Sequence, residues 1–102
     1  MITEAKPTLT IKFFGALRDL AGRREQNIEL RSHGSTIGVV LDRLSEEHGR
    51  KFKSYVFEEK GKAIRSQISI MVNGRSLRNP ESLKARVKNG DTVAILPPIS
   101  GG

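Results

Sequence analysis

Cysteine is absent from the chain, so it has no disulfide framework, no thiolate nucleophile and no zinc site of the cysteine type. The absence fits a reducing compartment. Tryptophan is absent too, and with four Phe and one Tyr the chain cannot interleave aromatics with its basic residues as an RNA-binding sheet requires. No apolar run approaches membrane-spanning length, and Met-Ile-Thr-Glu-Ala-Lys-Pro at the start contains no apolar signal core. These features predict a soluble, cytoplasmic protein without a membrane partner.

The usual catalytic groupings are missing as well. His33 and His48 stand apart, with no second histidine or carboxylate at metal-ligand spacing, and read as surface or cap residues; no metal site is expected. Glu46-Glu47 and Glu58-Glu59 read as solvated charge. Gly34-Ser35 lacks the flanks of a nucleophile elbow, and no glycine-rich phosphate loop follows a strand.

What is present is a chain of 102 residues, the size of one domain, able to bury roughly two thirds of its unfolded surface without metal or disulfide support. The formal charge is +7, from 18 Lys and Arg against 11 Asp and Glu. Such a surplus favours acidic partners. Most of the cations spread along the chain and read as solvated surface, but Arg75, Arg78, Lys84, Arg86 and Lys88 all precede the last strand and suggest a basic rim for an acidic partner.

Residues 1–7 form a polar lead-in closed by Pro7, and Thr8-Leu9-Thr10-Ile11-Lys12-Phe13 alternates as a strand with Leu9, Ile11 and Phe13 inward. Ala16 to Ala21 predicts a helical turn or two stopped by Gly22, and Gln26 to Arg31 alternates again. Ser35 or Thr36 caps a helix of about three turns whose stripe is Ile37, Val40, Leu41 and Leu44, with pairs Arg43–Glu47 and Glu46–Arg50 on its wet face and Gly49 as its stop. Residues 50–66 show no clear period, apart from an exposed loop at 58–62. Gln67 to Val72 is a strand running into an Asn73-Gly74 turn, Leu83 and Val87 allow a short helical segment, and Thr92-Val93-Ala94-Ile95-Leu96 is apolar enough for a buried central strand. The order predicts an α+β roll, a mixed sheet with one main helix across it.

The sequence closes on Pro97-Pro98-Ile99-Ser100-Gly101-Gly102, an extended tail over 97–102. Glycines without Cβ can thread a narrow channel, and the prolines restrict φ so that less entropy is lost on insertion. Six extended residues reach roughly 20 Å. With the ordinary catalytic constellations missing, few groups remain to carry covalent chemistry, and the carboxylate of Gly102 is one of them. It is a poor electrophile until an ATP-using partner converts it to an acyl-adenylate.

This ending, from Asn89-Gly90-Asp91 onward, resembles that of the small subunit of molybdopterin synthase, the MoaD type of ubiquitin-like sulfur carrier in the MoaD/ThiS superfamily. Ile11-Lys12-Phe13-Phe14-Gly15-Ala16-Leu17-Arg18-Asp19-Leu20-Ala21-Gly22 and Met71-Val72-Asn73-Gly74 are similar to that family's first strand and its middle strand and turn. The double proline is more typical of this type than of thiamine-pathway carriers, while residues 50–66 are longer and more basic than in short members. The resemblance implies a β-grasp fold and a carrier, not an enzyme, that binds no cofactor itself. Gly102 would be adenylated by a MoeB-type enzyme using ATP and converted to a thiocarboxylate. Pro97, Pro98, Ile99, Ser100 and Gly101 would then enter the large, MoaE-type synthase subunit, which holds the catalytic pocket. A ubiquitin-like modifier or a tRNA-thiolation carrier would use the same diglycine. A basic nucleic-acid-binding module and a purely structural partner domain rank below these.

Overall fold

The computed structural model describes residues 6–59, 63–77 and 81–98. Its five strands are β1 (Thr8–Phe13), β2 (Glu25–Glu29), β3 (Ser69–Val72), β4 (Arg75–Leu77) and β5 (Thr92–Leu96). They form one mixed sheet in the order β2-β1-β5-β3-β4. β5 lies parallel to β1, with Thr10 opposite Thr92 and Phe13 opposite Ile95, and antiparallel to β3, with Ser69 opposite Leu96. The most apolar strand is therefore the central one, as its composition predicts. Only one of its faces is fully buried, however. Val93 and Ile95 point into the core, whereas Thr92, Ala94 and Leu96 are half-buried on the open face.

Alternation along β1 puts Leu9, Ile11 and Phe13 on the inner face, where they meet Ile70, Val93 and Ile95. Helix α2 (Ile37–His48) lays Ile37, Val40, Leu41 and Leu44 against this layer, each fully buried. Burial of each such side chain contributes about 1.5–3 kcal/mol. Thr36 is the cap: its Oγ1 accepts from the Val39 N–H at 3.4 Å. The short helix α1 (Ala16–Ala21) joins β1 to β2 and ends at Gly22.

Several expectations need correction. Within residues 50–66, a helix α3 (Arg50–Val56) starts directly after the chain turns at Gly49. It buries Phe52 and Val56 while Arg50, Lys51 and Lys53 stay exposed, and Phe57 then pairs with Ile64. The short strand β4 follows the Asn73-Gly74 turn, in which Asn73 at φ 52° and Gly74 at φ 82° are both left-handed. The helical segment near Leu83 is a single 3-10 turn, Glu81–Lys84, and Val87 lies beyond it, buried.

The side-chain pairs foreseen on α2 are not formed among the described residues. Arg43 Nη1 donates to the Glu29 carbonyl at 2.9 Å, tying α2 to the end of β2, and Glu47 accepts from Gln26 Nε2 at 3.0 Å. Both bonds are tertiary, and both give Arg43 and Glu47 better-fixed partners than a solvated helix face offers. Pro7 is buried rather than part of a solvated lead-in, and its carbonyl accepts from Leu30 N–H at 2.8 Å. Residues 1–5 and 60–62, the latter within the expected loop, lie outside the described residues.

Candidate functional site

The end of β5 is where the tail begins. Hydrogen bonding to β1 on one side and β3 on the other fixes the direction in which Leu96 hands over to Pro97. Pro97 is half-buried and Pro98 is exposed. Proline at both positions restricts φ, and each biases the residue before it toward extended backbone.

Pro97 rests on the loop that follows β1. Gly15 has φ +57°, and a Cβ built on it would lie 2.7 Å from Pro97 Cγ. Only glycine combines that left-handed angle with so close an approach. The loop under Pro97 is held by several bonds. Leu17 N–H donates to the Phe14 carbonyl at 3.1 Å, and Arg18 N–H to the Gly15 carbonyl at 3.0 Å. Arg18 Nε donates to the Phe13 carbonyl at 3.1 Å, and its guanidinium stacks over the Phe14 ring at 5.5 Å. Gly15 is thus the seat for the first residue of the tail, and the bonds of Phe14 and Arg18 hold its loop in place. Ile99, Ser100, Gly101 and Gly102 lie outside the described residues, so of the expected tail only Pro97 and Pro98 are placed.

The expected basic rim is brought together only in part. Arg75 on β4, Arg86 and Lys88 line one groove of about 420 Å³, floored by Val72, Leu77 and Ala85. Lys84 is exposed but lies outside that lining, and Arg78 is outside the described residues. The groove borders Asp91, at the start of β5. Five residue steps along extended chain, from Asp91 to Leu96, are about 17 Å, so the groove and the tail root occupy opposite ends of the central strand.

His48 is not a surface residue. Its side chain is 9% exposed and lies edge-on to Phe13 at 5.7 Å and tilted against Phe52 at 5.4 Å. Its Nε2 is 2.7 Å from Gln26 Oε1. The oxygen can only accept, so Nε2 carries the proton in this bond. Gln26 Nε2 donates in turn to Glu47. The only sequence signal for this arrangement was the polar Gln26 at an inward position of β2. His33 is exposed, as expected. Among the described residues no three His, Asp or Glu side chains converge as metal ligands, and no helix is long and apolar enough to cross a membrane.

The family model described as "ThiS family" matches residues 11–102. A protein of Archaeoglobus fulgidus provisionally named a sulfur carrier is 30% identical over 82 residues, covering 80% of this chain and 91% of its own. Small archaeal modifier protein 1 of Haloferax volcanii is 32% identical over 91 residues, covering 89% of this chain and 97% of the relative. Its crystal structure superposes with a TM-score of 0.80 at 29% identity, over 93% of this chain and 99% of that one. A Pyrococcus furiosus structure provisionally named molybdopterin converting factor subunit 1 gives a TM-score of 0.72 at 32% identity, over 91% of this chain and 99% of that one. The mixed five-stranded sheet with helices packed across it is the β-grasp fold of these ubiquitin-like neighbours.

Proposed function

The chain belongs to the ThiS family of small ubiquitin-like sulfur carriers and modifiers, and within it we propose a carrier of the molybdopterin-synthase type, acting through the carboxylate of Gly102. Members of the family are not catalytic themselves and work with partner enzymes.

The observation that carries this reading is the placement of the tail root. The central strand runs straight into Pro97-Pro98, and Pro97 is seated on Gly15. A tail root held by the central strand and by Gly15 gives a partner a fixed point from which to take up the residues that follow. The partners would be a MoeB-type adenylating enzyme and a MoaE-type large subunit. A Gly102 carboxylate oxygen attacks the α-phosphorus of ATP, pyrophosphate leaves, and the acyl-adenylate becomes electrophilic at its carbonyl carbon. A sulfide-level donor adds there and AMP departs, leaving a thiocarboxylate. In the large subunit, that sulfur attacks a carbon of the pterin precursor and displaces an oxygen leaving group; water then cleaves the resulting thioester, so the sulfur stays on the pterin and the terminus returns to a carboxylate. Pro97, Pro98, Ile99, Ser100 and Gly101 form the inserted segment and Gly102 the reactive end.

The test is reconstitution: thiocarboxylated protein, a MoaE-type subunit and the pterin precursor should give dithiolene product. A thiocarboxylated protein that yields none would overturn this destination while leaving the carrier chemistry standing.

A second destination has support from the similarity to small archaeal modifier protein 1. Conjugation of Gly102 to protein lysines, or delivery of its sulfur to tRNA, uses the same activated terminus. Lysine-linked conjugates in cell extract that vanish when Gly101 and Gly102 are deleted would favour the modifier reading.

A further inference from the structure

The groove at the start of β5 has no part in the chemistry of the tail, yet its electrostatics are unbalanced. Arg75, Arg86 and Lys88 are exposed on its walls, and none is ion-paired among the described residues. The one carboxylate on the lining, Asp91, is 5% exposed and already engaged. It accepts from Asn73 Nδ2 at 2.9 Å through one oxygen and from Lys88 N–H at 2.8 Å through the other.

Those neutral partners leave Asp91 its single negative charge, so three cations face the recess against one carboxylate and the lining keeps a surplus of two positive charges. A second recess, of about 680 Å³ beside α3, is closer to balance: Glu58 and Glu59 stand there against Arg50, Lys53 and Arg65. With two carboxylates against three cations, that site has the weaker preference for an anion.

The backbone carrying the three cations is held in place. Ile37 N–H donates to the Ala85 carbonyl and Val87 N–H to the Ser35 carbonyl, both at 2.9 Å, so the wall bearing Arg86 is stitched to the start of α2. Arg75 is opposite Val72 in the sheet, and Lys88 is pinned to Asp91. The floor is apolar, with Val72, Leu77 and Ala85 half-buried. No aromatic side chain lines the groove, so it offers no platform for stacking a base.

From this combination we infer that the groove docks an acidic segment of a partner protein. Aspartate or glutamate side chains meet Arg75, Arg86 and Lys88, and one apolar side chain sits on Val72 and Leu77. Because the groove lies about 17 Å from the tail root, at the opposite end of β5, it grips the partner independently of Gly102. The inference does not rest on the sulfur-carrier reading.

The test uses the full chain, isotope-labelled for NMR and titrated at low salt with a short glutamate-rich peptide carrying one leucine. An oligothymidylate of equal charge is titrated in parallel. Resonance shifts should concentrate at 72–77 and 85–91, and the triple variant Arg75→Glu/Arg86→Glu/Lys88→Glu should bind at least about tenfold more weakly. The control Arg50→Glu/Lys51→Glu/Lys53→Glu changes net charge equally and should leave peptide affinity within about twofold of the parent. The milder Arg75→Gln/Lys88→Gln variant guards against misfolding and should weaken binding in the same direction. Equal losses in the two triple variants, or shifts spread over the whole basic surface, would overturn the inference. So would an oligothymidylate that binds this groove more tightly than the peptide.

Discussion

Gly15 and Pro97 are in contact across 82 positions of sequence: the Cβ that Gly15 lacks would lie 2.7 Å from Pro97 Cγ, at a backbone angle of φ +57°. The glycine after β1 is thereby tied to the first residue of the tail, and the two should be coupled energetically.

Gly15→Ala adds both a left-handed strain of about 1–2 kcal/mol and a collision with the proline ring. Melting temperature should fall by roughly 5–10 °C. Pro97→Ala removes Cγ, so the double variant should regain the collision's share but not the strain. Thermal unfolding of the two single variants and the double variant measures this coupling; strictly additive losses would show that the contact carries no energy.

His48→Ala deletes a ring packed on Phe13 and Phe52 and leaves the Gln26 side-chain oxygen without its donor. The combined cost is about 2–4 kcal/mol. His48→Phe keeps the packing and loses only the donor, for about 1–2 kcal/mol. Urea denaturation orders the three proteins, and a His48→Ala variant as stable as the parent would contradict the buried placement.

Phe52→Ala should cost about 3–5 kcal/mol, since Phe52 is fully buried and lies edge-on to Phe13 at 5.9 Å. Its neighbour Lys51 is exposed, and Lys51→Ala should change stability by no more than about 0.5 kcal/mol. Chemical denaturation of both variants tests whether α3 belongs to the core or is a loosely attached insertion.

The elements that could be read ahead of the structure are those whose pattern is local. The stripe Ile37, Val40, Leu41 and Leu44 behind a Thr36 cap defines α2, and the alternation of Leu9, Ile11 and Phe13 defines β1. An apolar run defines β5 as the central strand. The features that could not be read depend on distant partners. α3 has two buried residues, Phe52 and Val56, within a basic segment, and they become meaningful only once Phe13 is positioned above. β4 has three residues and pairs on one side alone, too short for alternation to register. His48 looks like any helix-end histidine until Gln26 on β2 faces it. The candidate site divides in the same way: the diglycine ending is visible as a motif, whereas the Gly15 seat and the convergence of Arg75 with Arg86 and Lys88 are products of the fold.

The most direct test of the account is the intact mass of the protein after incubation with a MoeB-type activating enzyme, ATP and sulfide. The account predicts a mass gain equal to one oxygen replaced by sulfur, placed at Gly102 by fragmentation and absent from a variant lacking Gly101 and Gly102. An unchanged mass with an enzyme that adenylates its own known carrier, or sulfur found anywhere other than the terminal glycine, would contradict it.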